Sequence, residues 1–513
     1  MNTEKINNGS GSRNPITATW VQFFTIFALA VLLNNISAAD KKSYRLSLQD
    51  IIAIAQEKSS EKQSAIHNYL TGYQQYKNFK ASMLPSLSLN ATVPGLNRSI
   101  SAITLSDGSE VFVERYLSNS TVNLSLNQKI PLTGGSLSLN TQLLSVDVLG
   151  DSSSTSYLTN PITLNYHQPI FAFNSLRWDR KIKPILFNES QQKYIEECEA
   201  ISIAAINYFF EYYLAKMNLE ITEKNIQNND TLYKIAEGRY NLGKIAENEL
   251  LQMELSLLTS QTSLENSRIA LASAKFALCN FLSLDEDAEI ELIPPQIDFD
   301  FTVDKEKAIE EALSNRAEAL SFNRRILESE RSLANAKAER GFSANIYAGY
   351  GLTKSADKLK DAYSDTQNYQ QLSLGIEIPI FDGGVGKGEV LLAESSHELL
   401  KTSIEKEKKQ FIQNIELTVL QYNIQKTQLR VAAKSDSIAQ KRYDVTKQRY
   451  MIGKIAITDL NLAQTERDSS LKSYIAAMKN FWNYYYQLRK LTLFDFVKNE
   501  KIQYDPESII IKG

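Results

Sequence analysis

Two acids, Glu249 and Asp459, stand 210 positions apart (459 − 249) inside matching stretches, RYNLGKIAENEL at 239–250 and RYMIGKIAITDL at 449–460. Carboxylates repeated at one place in a duplicated chain can do pore chemistry. Presented around an opening by several copies, they draw cations, can bind divalent ions, and repel one another. An acid in the first turn of a helix is also favoured by the macrodipole alone, so both readings stand at this point. Other chemistry finds less support. His67, His167 and His397 stand singly, and HELLK at 397–401 has Lys401 where a zinc-protease helix needs its second histidine. FDGGVGKG at 381–388 lacks the spacing of a phosphate loop, and no GxSxG elbow occurs. Cys198 and Cys279 make no CxxC and no disulfide framework. These residues predict no enzyme, no metal site and no cofactor.

The elements that must position the acids follow the same offset. QPIF at 168–171 lands on IPIF at 378–381, which leaves 70 residues from Pro-Ile-Phe to Arg-Tyr in each half (239 − 169 and 449 − 379). Those spans are poor in breakers and rich in Glu, Lys, Gln, Ala and Leu, so they read as helices on the order of 105 Å long. Leu417, Ile424, Val431, Ile438 and Val445 recur every seven residues, as do Ile415, Tyr422, Leu429, Tyr443 and Tyr450, with Asp436 interrupting the second series. Sustained sevens mean coiled-coil packing. The two series are two residues apart, about 200° of rotation, so the helix has a seam on each side. A closed row of such helices makes a hollow cylinder. Tyr212, Leu219, Tyr233 and Tyr240 repeat the pattern upstream. Gly243 and Gly453 suit left-handed caps, and Asn248 and Thr458 suit N-caps of the returning helices.

Elsewhere the period falls to two. SLSLNATV (86–93), STVNLSLNQKI (120–130), SLSLNTQLL (136–144), ITLNYHQPI (162–170), ANIYAGYGL (344–352) and QLSLGIEIPI (371–380) alternate polar and apolar residues, as barrel strands do. LTGGS at 132–136 reads as a hairpin turn, while residues 94–118, 145–156 and 353–368 read as exposed loops. WVQFFTIFALAVLL (20–33) follows Lys5 and Arg13 and precedes NNISAAD, which predicts a secretory signal cleaved near Ala38 or Ala39 rather than an uncleaved anchor. No later apolar run is long enough for a spanning helix. A formal net charge of −3 gives no electrostatic case for nucleic acid.

Taken together these residues resemble the TolC family of outer-membrane efflux proteins from about Leu46 to Leu491. The likeness lies in LSLQDIIAIA (46–55), LPSLSLNA (84–91), GIEIPIFDGGVGKGEV (375–390), and above all RYNLGKIAENELLQME and RYMIGKIAITDLNLAQTE, which are similar to the family's two periplasmic tip turns. The resemblance implies a mixed α and β homotrimer: a transmembrane β-barrel continuous with a long periplasmic α-helical coiled-coil barrel. It implies a signal peptide at 1–39, a first repeat at 40–300, a second at 301–498 and a tail at 499–513. It further implies outer-membrane lipid around the barrel, a periplasmic adaptor at Gly243, Lys244, Gly453 and Lys454, and an inner-membrane transporter of the resistance-nodulation-division (RND) or ATP-binding cassette (ABC) type. The expected function is a passive exit channel for efflux, with type I protein secretion or a non-conducting periplasmic scaffold as alternatives. Asp459 matches the first of the family's two constriction acids, but Leu462 stands at the second, and Ile455 replaces an arginine. Tyr450 matches a tyrosine that bonds between helices when the gate is shut, although tyrosine in a coiled-coil seam is also ordinary packing. The family has four strands per protomer; six candidates are present here.

Overall fold

A computed structural model describes residues 43–150, 153–295 and 301–504. The predicted signal segment (1–39) and residues 505–513 of the tail lie outside the described residues. In chain order, β1 (Ser43–Ser47) leads into α1 (Leu48–Lys58) and α2 (Ser60–Ala81). Four strands follow: β2 (Ser86–Thr104), β3 (Glu110–Ile130), β4 (Gly135–Leu149) and β5 (Ser154–Ile170). Then come α3 (Ser175–Asn241), α4 (Glu247–Leu282) and β6 (Glu289–Ile293). The second half holds α5 (Lys305–Asn315), α6 (Ala317–Arg340), β7 (Ser343–Ala356), β8 (Gln367–Glu377), α7 (Val385–Met451) and α8 (Ile457–Thr492). It closes on the short strands β9 (Phe494–Asp495) and β10 (Glu500–Lys501).

Among these, α3 and α7 are 67 residues each and α4 and α8 are 36 each, all at the offset of 210 seen in the sequence. At 1.5 Å per residue the longer pair extends about 100 Å. Both returning helices stop on a left-handed residue, Ser283 (φ 53°) and Leu493 (φ 49°).

Contacts divide the chain into two compact units, one on residues 43–59 and 208–295, the other on residues 60–207 and 301–504. In the first unit β1 runs parallel to β6, and Ser47 starts α1 through a reciprocal capping box with Asp50. Tyr212 Oη donates to the Ile290 carbonyl at 3.0 Å, and Asn229 Nδ2 donates to Ser260 Oγ at 2.7 Å between α3 and α4.

In the second unit the heptads of α7 separate cleanly. Ile415, Tyr422, Tyr443 and Tyr450 are buried and Leu429 is half-buried, with the Tyr422 ring 5.8 Å from that of Phe481 on α8. The opposite series, Leu417, Ile424, Val431, Ile438 and Val445, is uncovered, each residue between 43% and 58% exposed. A charged network lies deeper in the unit. Glu199, fully buried, accepts from both Nε and Nη2 of Arg489 at 2.9 Å, and Arg489 Nη1 donates to Asp495 at 2.6 Å. Tyr504 Oη donates to Glu199 at 2.9 Å, which ties the described end of the tail into this core. Burial works against the Arg489 charge, but the bonds to Glu199 outweigh it and keep the guanidinium protonated.

All six predicted strands are present, in one sheet of order β2-β3-β4-β5-β7-β8 with every neighbour antiparallel. Residues 94–118, expected as an exposed loop, instead extend β2 and β3 into a ribbon that turns at Gly108 (φ 85°) and pairs out to Thr104↔Glu110. Alternation in SISAIT and EVFVERY continues the strand period, so pairing outweighs the polar composition. Residues 145–156 are likewise mostly strand. Residues 353–368 fold back through a 3-10 turn at Asp361–Tyr363, where the Thr159 hydroxyl donates to the Ala362 carbonyl and Ala362 is fully buried.

Candidate functional site

Both tips form as the repeated sequence requires. In the first unit, Gly243 (φ 69°) caps α3: its N–H donates to the Tyr240 carbonyl at 2.8 Å, and Lys244 N–H donates to the Arg239 carbonyl at 2.8 Å. In the second, Gly453 (φ 74°) repeats the pair on Tyr450 at 2.9 Å and Lys454 on Arg449 at 3.0 Å. This is the Schellman arrangement, and the positive φ is why glycine stands at both places. Lys244 and Lys454 point their backbone inward for this bond and remain exposed.

The predicted N-caps are corrected. α4 starts after Ala246 and α8 after Ala456, both extended (ψ 157° and 159°) and without a side-chain cap, so Asn248 and Thr458 lie inside the first turn. No side-chain oxygen caps either turn, and the acids in the first turn, Glu247 and Glu249 in α4 and Asp459 in α8, complement the positive end of the helix dipole. Glu249 is half-buried and Asp459 exposed. Gly243, Lys244 and Glu249 thus share the first tip, and Tyr450, Gly453, Lys454 and Asp459 the second. Tyr450 is buried in the seam, Ile455 is half-buried, and Leu462 is exposed on α8.

Behind the second tip the sequence reading missed a polar clasp between α7 and α8. The Arg467 guanidinium lies 4.1 Å from the Tyr443 ring centre and 2.5 Å from Asp468, and Arg442 pairs with Glu466. Heptad analysis weighs apolar positions only, so arginines that close over a seam tyrosine leave no signal in it. His397, isolated in sequence, is buried on α7 and shares a hydrogen bond with Ser329 Oγ at 2.7 Å. Among the described residues no group of His, Cys, Asp or Glu is placed to hold a metal ion, and no helix is long and apolar enough to cross a membrane.

An open apolar surface comes instead from the sheet. Leu87, Leu126, Leu139, Leu164 and Tyr350 are paired neighbour to neighbour across five strands, and all are at least 39% exposed. The adjacent row, Ser88, Ser125, Asn140, Thr163 and Gly351, lies on the other face, where Ser125 and Thr163 are nearly covered. One face is apolar and open, the other polar and, away from Ser88 on the edge strand, more covered, which is the alternation that barrel strands show.

The comparisons agree with this geometry. The model of the family described as "Outer membrane efflux protein" matches residues 54–282 and 308–492. Among solved structures, the Campylobacter jejuni CmeC outer membrane channel aligns with a TM-score of 0.63 at 14% identity, covering 91% of this chain and 88% of that one. The Vibrio cholerae outer membrane protein VceC aligns at 0.62 and 14% identity, covering 89% and 97% respectively. A membrane protein from Pseudomonas aeruginosa aligns at 0.63 and 13% identity, covering 90% and 92%. No curated protein matches the chain in sequence. With the family model spanning both helical hairpins and a fold shared along nearly the whole length of these channels, the chain belongs to the outer membrane efflux protein family and resides in the outer membrane.

Proposed function

We propose that this chain is the exit duct of a tripartite efflux pump: a homotrimer whose sheets close a β-barrel in outer-membrane lipid and whose helices close a tube in the periplasm. A periplasmic adaptor docks on the tips through Gly243, Lys244, Gly453 and Lys454, and an inner-membrane transporter of the RND or ABC type drives substrate in. The two repeats, 40–300 and 301–498, follow a signal segment at 1–39. The observation that carries this reading is the uncovered seam of Leu417, Ile424, Val431, Ile438 and Val445. Each such side chain gains about 1.5–3 kcal/mol when fully buried, and a heptad seam of that length calls for a second helix. A copy of the chain supplies one.

In this reading Glu249 and Asp459 bring carboxylates to the periplasmic mouth, and Tyr450 holds the α7 end in its seam. Conduction is passive. The test is single-channel conductance of the purified protein in a planar bilayer, beside the Glu249→Ala/Asp459→Ala double variant. Discrete cation-selective steps that lose selectivity in the variant are expected. Steps with unchanged selectivity return the acids to helix-end stabilisation, and a folded, inserted trimer that stays without conductance in the variant as well as the wild type leaves a shut gate or the non-conducting scaffold.

A further inference from the structure

The β3–β4 hairpin is surplus to a four-stranded contribution, and its placement has a consequence for pore width. β3 pairs with β4 from Tyr116↔Leu149 to Ile130↔Gly135, and β4 with β5 from Ser136↔His167 to Val148↔Ser154. The hairpin is therefore bonded on both sides along its length. Leu126 and Leu139, its contributions to the apolar row, lie in register between Leu87 of β2 and Leu164 of β5, and Ser125 and Asn140 sit between Ser88 and Thr163 in the polar row. A hairpin folded away from the wall would have to expose that leucine row to water, strip β2 of its partner in the sheet and leave β5 bonded to β7 alone.

We infer that the hairpin is part of the barrel wall, so that each copy contributes six strands and a three-copy barrel has eighteen, where the family resemblance implies twelve. The inference rests on the proposed trimeric duct. Within the described sheet β2 and β8 are the two edges, so closure pairs β8 of one copy with β2 of the next. Barrel diameter grows roughly linearly with strand number, which makes this lumen about one and a half times as wide as a twelve-stranded one, in the range of barrels that enclose an aqueous channel. Its lining row of Ser88, Ser125, Asn140 and Thr163 is uncharged.

Both native cysteines are buried, so a nitroxide added to folded protein labels an introduced one. Trimers with Leu126→Cys or Leu139→Cys on the hairpin, Leu87→Cys or Leu164→Cys beside it, and Ser125→Cys or Asn140→Cys on the other face are labelled in phosphatidylcholine vesicles. Relaxation by oxygen is then compared with relaxation by a water-soluble nickel chelate. The expected oxygen-to-nickel ratio at 126 and 139 equals that at 87 and 164 and exceeds that at 125 and 140 several-fold. Wet labels at 126 and 139 beside lipid-exposed labels at 87 and 164 overturn the six-stranded wall. Wet labels at all four sites overturn the membrane-duct reading itself. A native mass of the same sample other than three copies overturns the count of eighteen.

Discussion

Asp436 interrupts the buried series of α7, between Leu429 and Tyr443, and burial raises its carboxyl above the usual range. A folded-state pKa above the unfolded one means that the charged form is penalised. The penalty is absent below the ordinary value near 3.8 and grows as pH rises through the folded value. Asp436→Leu is thus expected to stabilise the protein at pH 7, by on the order of 1 kcal/mol, with the gain fading towards acid. Thermal unfolding of both proteins from pH 3 to pH 7 checks the sign. Arg489 behaves in the opposite way, because Glu199 beneath it has no water to turn to. Arg489→Met leaves that carboxylate and the buried Asp495 without their cation and is expected to cost about 3–5 kcal/mol, only part of it recovered in Arg489→Met/Glu199→Leu, where Asp495 stays buried. Chemical denaturation of the three proteins measures it. Nothing in the sequence singles out this cluster: Glu199 stands 290 residues before Arg489 and meets Arg489, Asp495 and Tyr504 only when the chain folds.

At the scale of the helix, the two seams of α7 have different roles, and substitution can separate them. Val431→Asp/Ile438→Asp touches only uncovered positions, so the protomer is expected to keep its fold while the proposed trimer dissociates. Analytical ultracentrifugation in detergent reads the loss, and an intact trimer would return the seam to ordinary exposed surface. Ile415→Asp, by contrast, places a charge at a fully buried position and is expected to lower the unfolding midpoint with or without partners. Helix identity and length were legible because sevens persist over many turns. The N-caps were less so: Asn248 and Thr458 are good capping residue types, but the Schellman turn at the preceding glycine sets the chain direction and the returning helix starts at once, after an alanine. In the same way, polar residues in 94–118 signalled a loop until backbone pairing with the neighbouring strand was available.

For the whole molecule, the duplication at 210 residues places matched helices, matched glycine caps and matched tip acids on one chain, and all of that is legible in residue order. Periodicity is a property of nearest neighbours along the chain. Helix and strand, the glycine turns and the outer-membrane efflux family were therefore readable from residue types in order. Strand partnership is a contact between distant residues, and alternation of period two is the same for a hairpin inside a wall as for one beside it. That β3 and β4 lie between β2 and β5, that one α7 seam is filled by α8 while the other stays open, and that Tyr504 reaches Glu199 follow from how the folded chain shares hydrogen bonds and apolar area among remote segments. Composition and spacing leave those choices nearly equal in energy, and packing separates them.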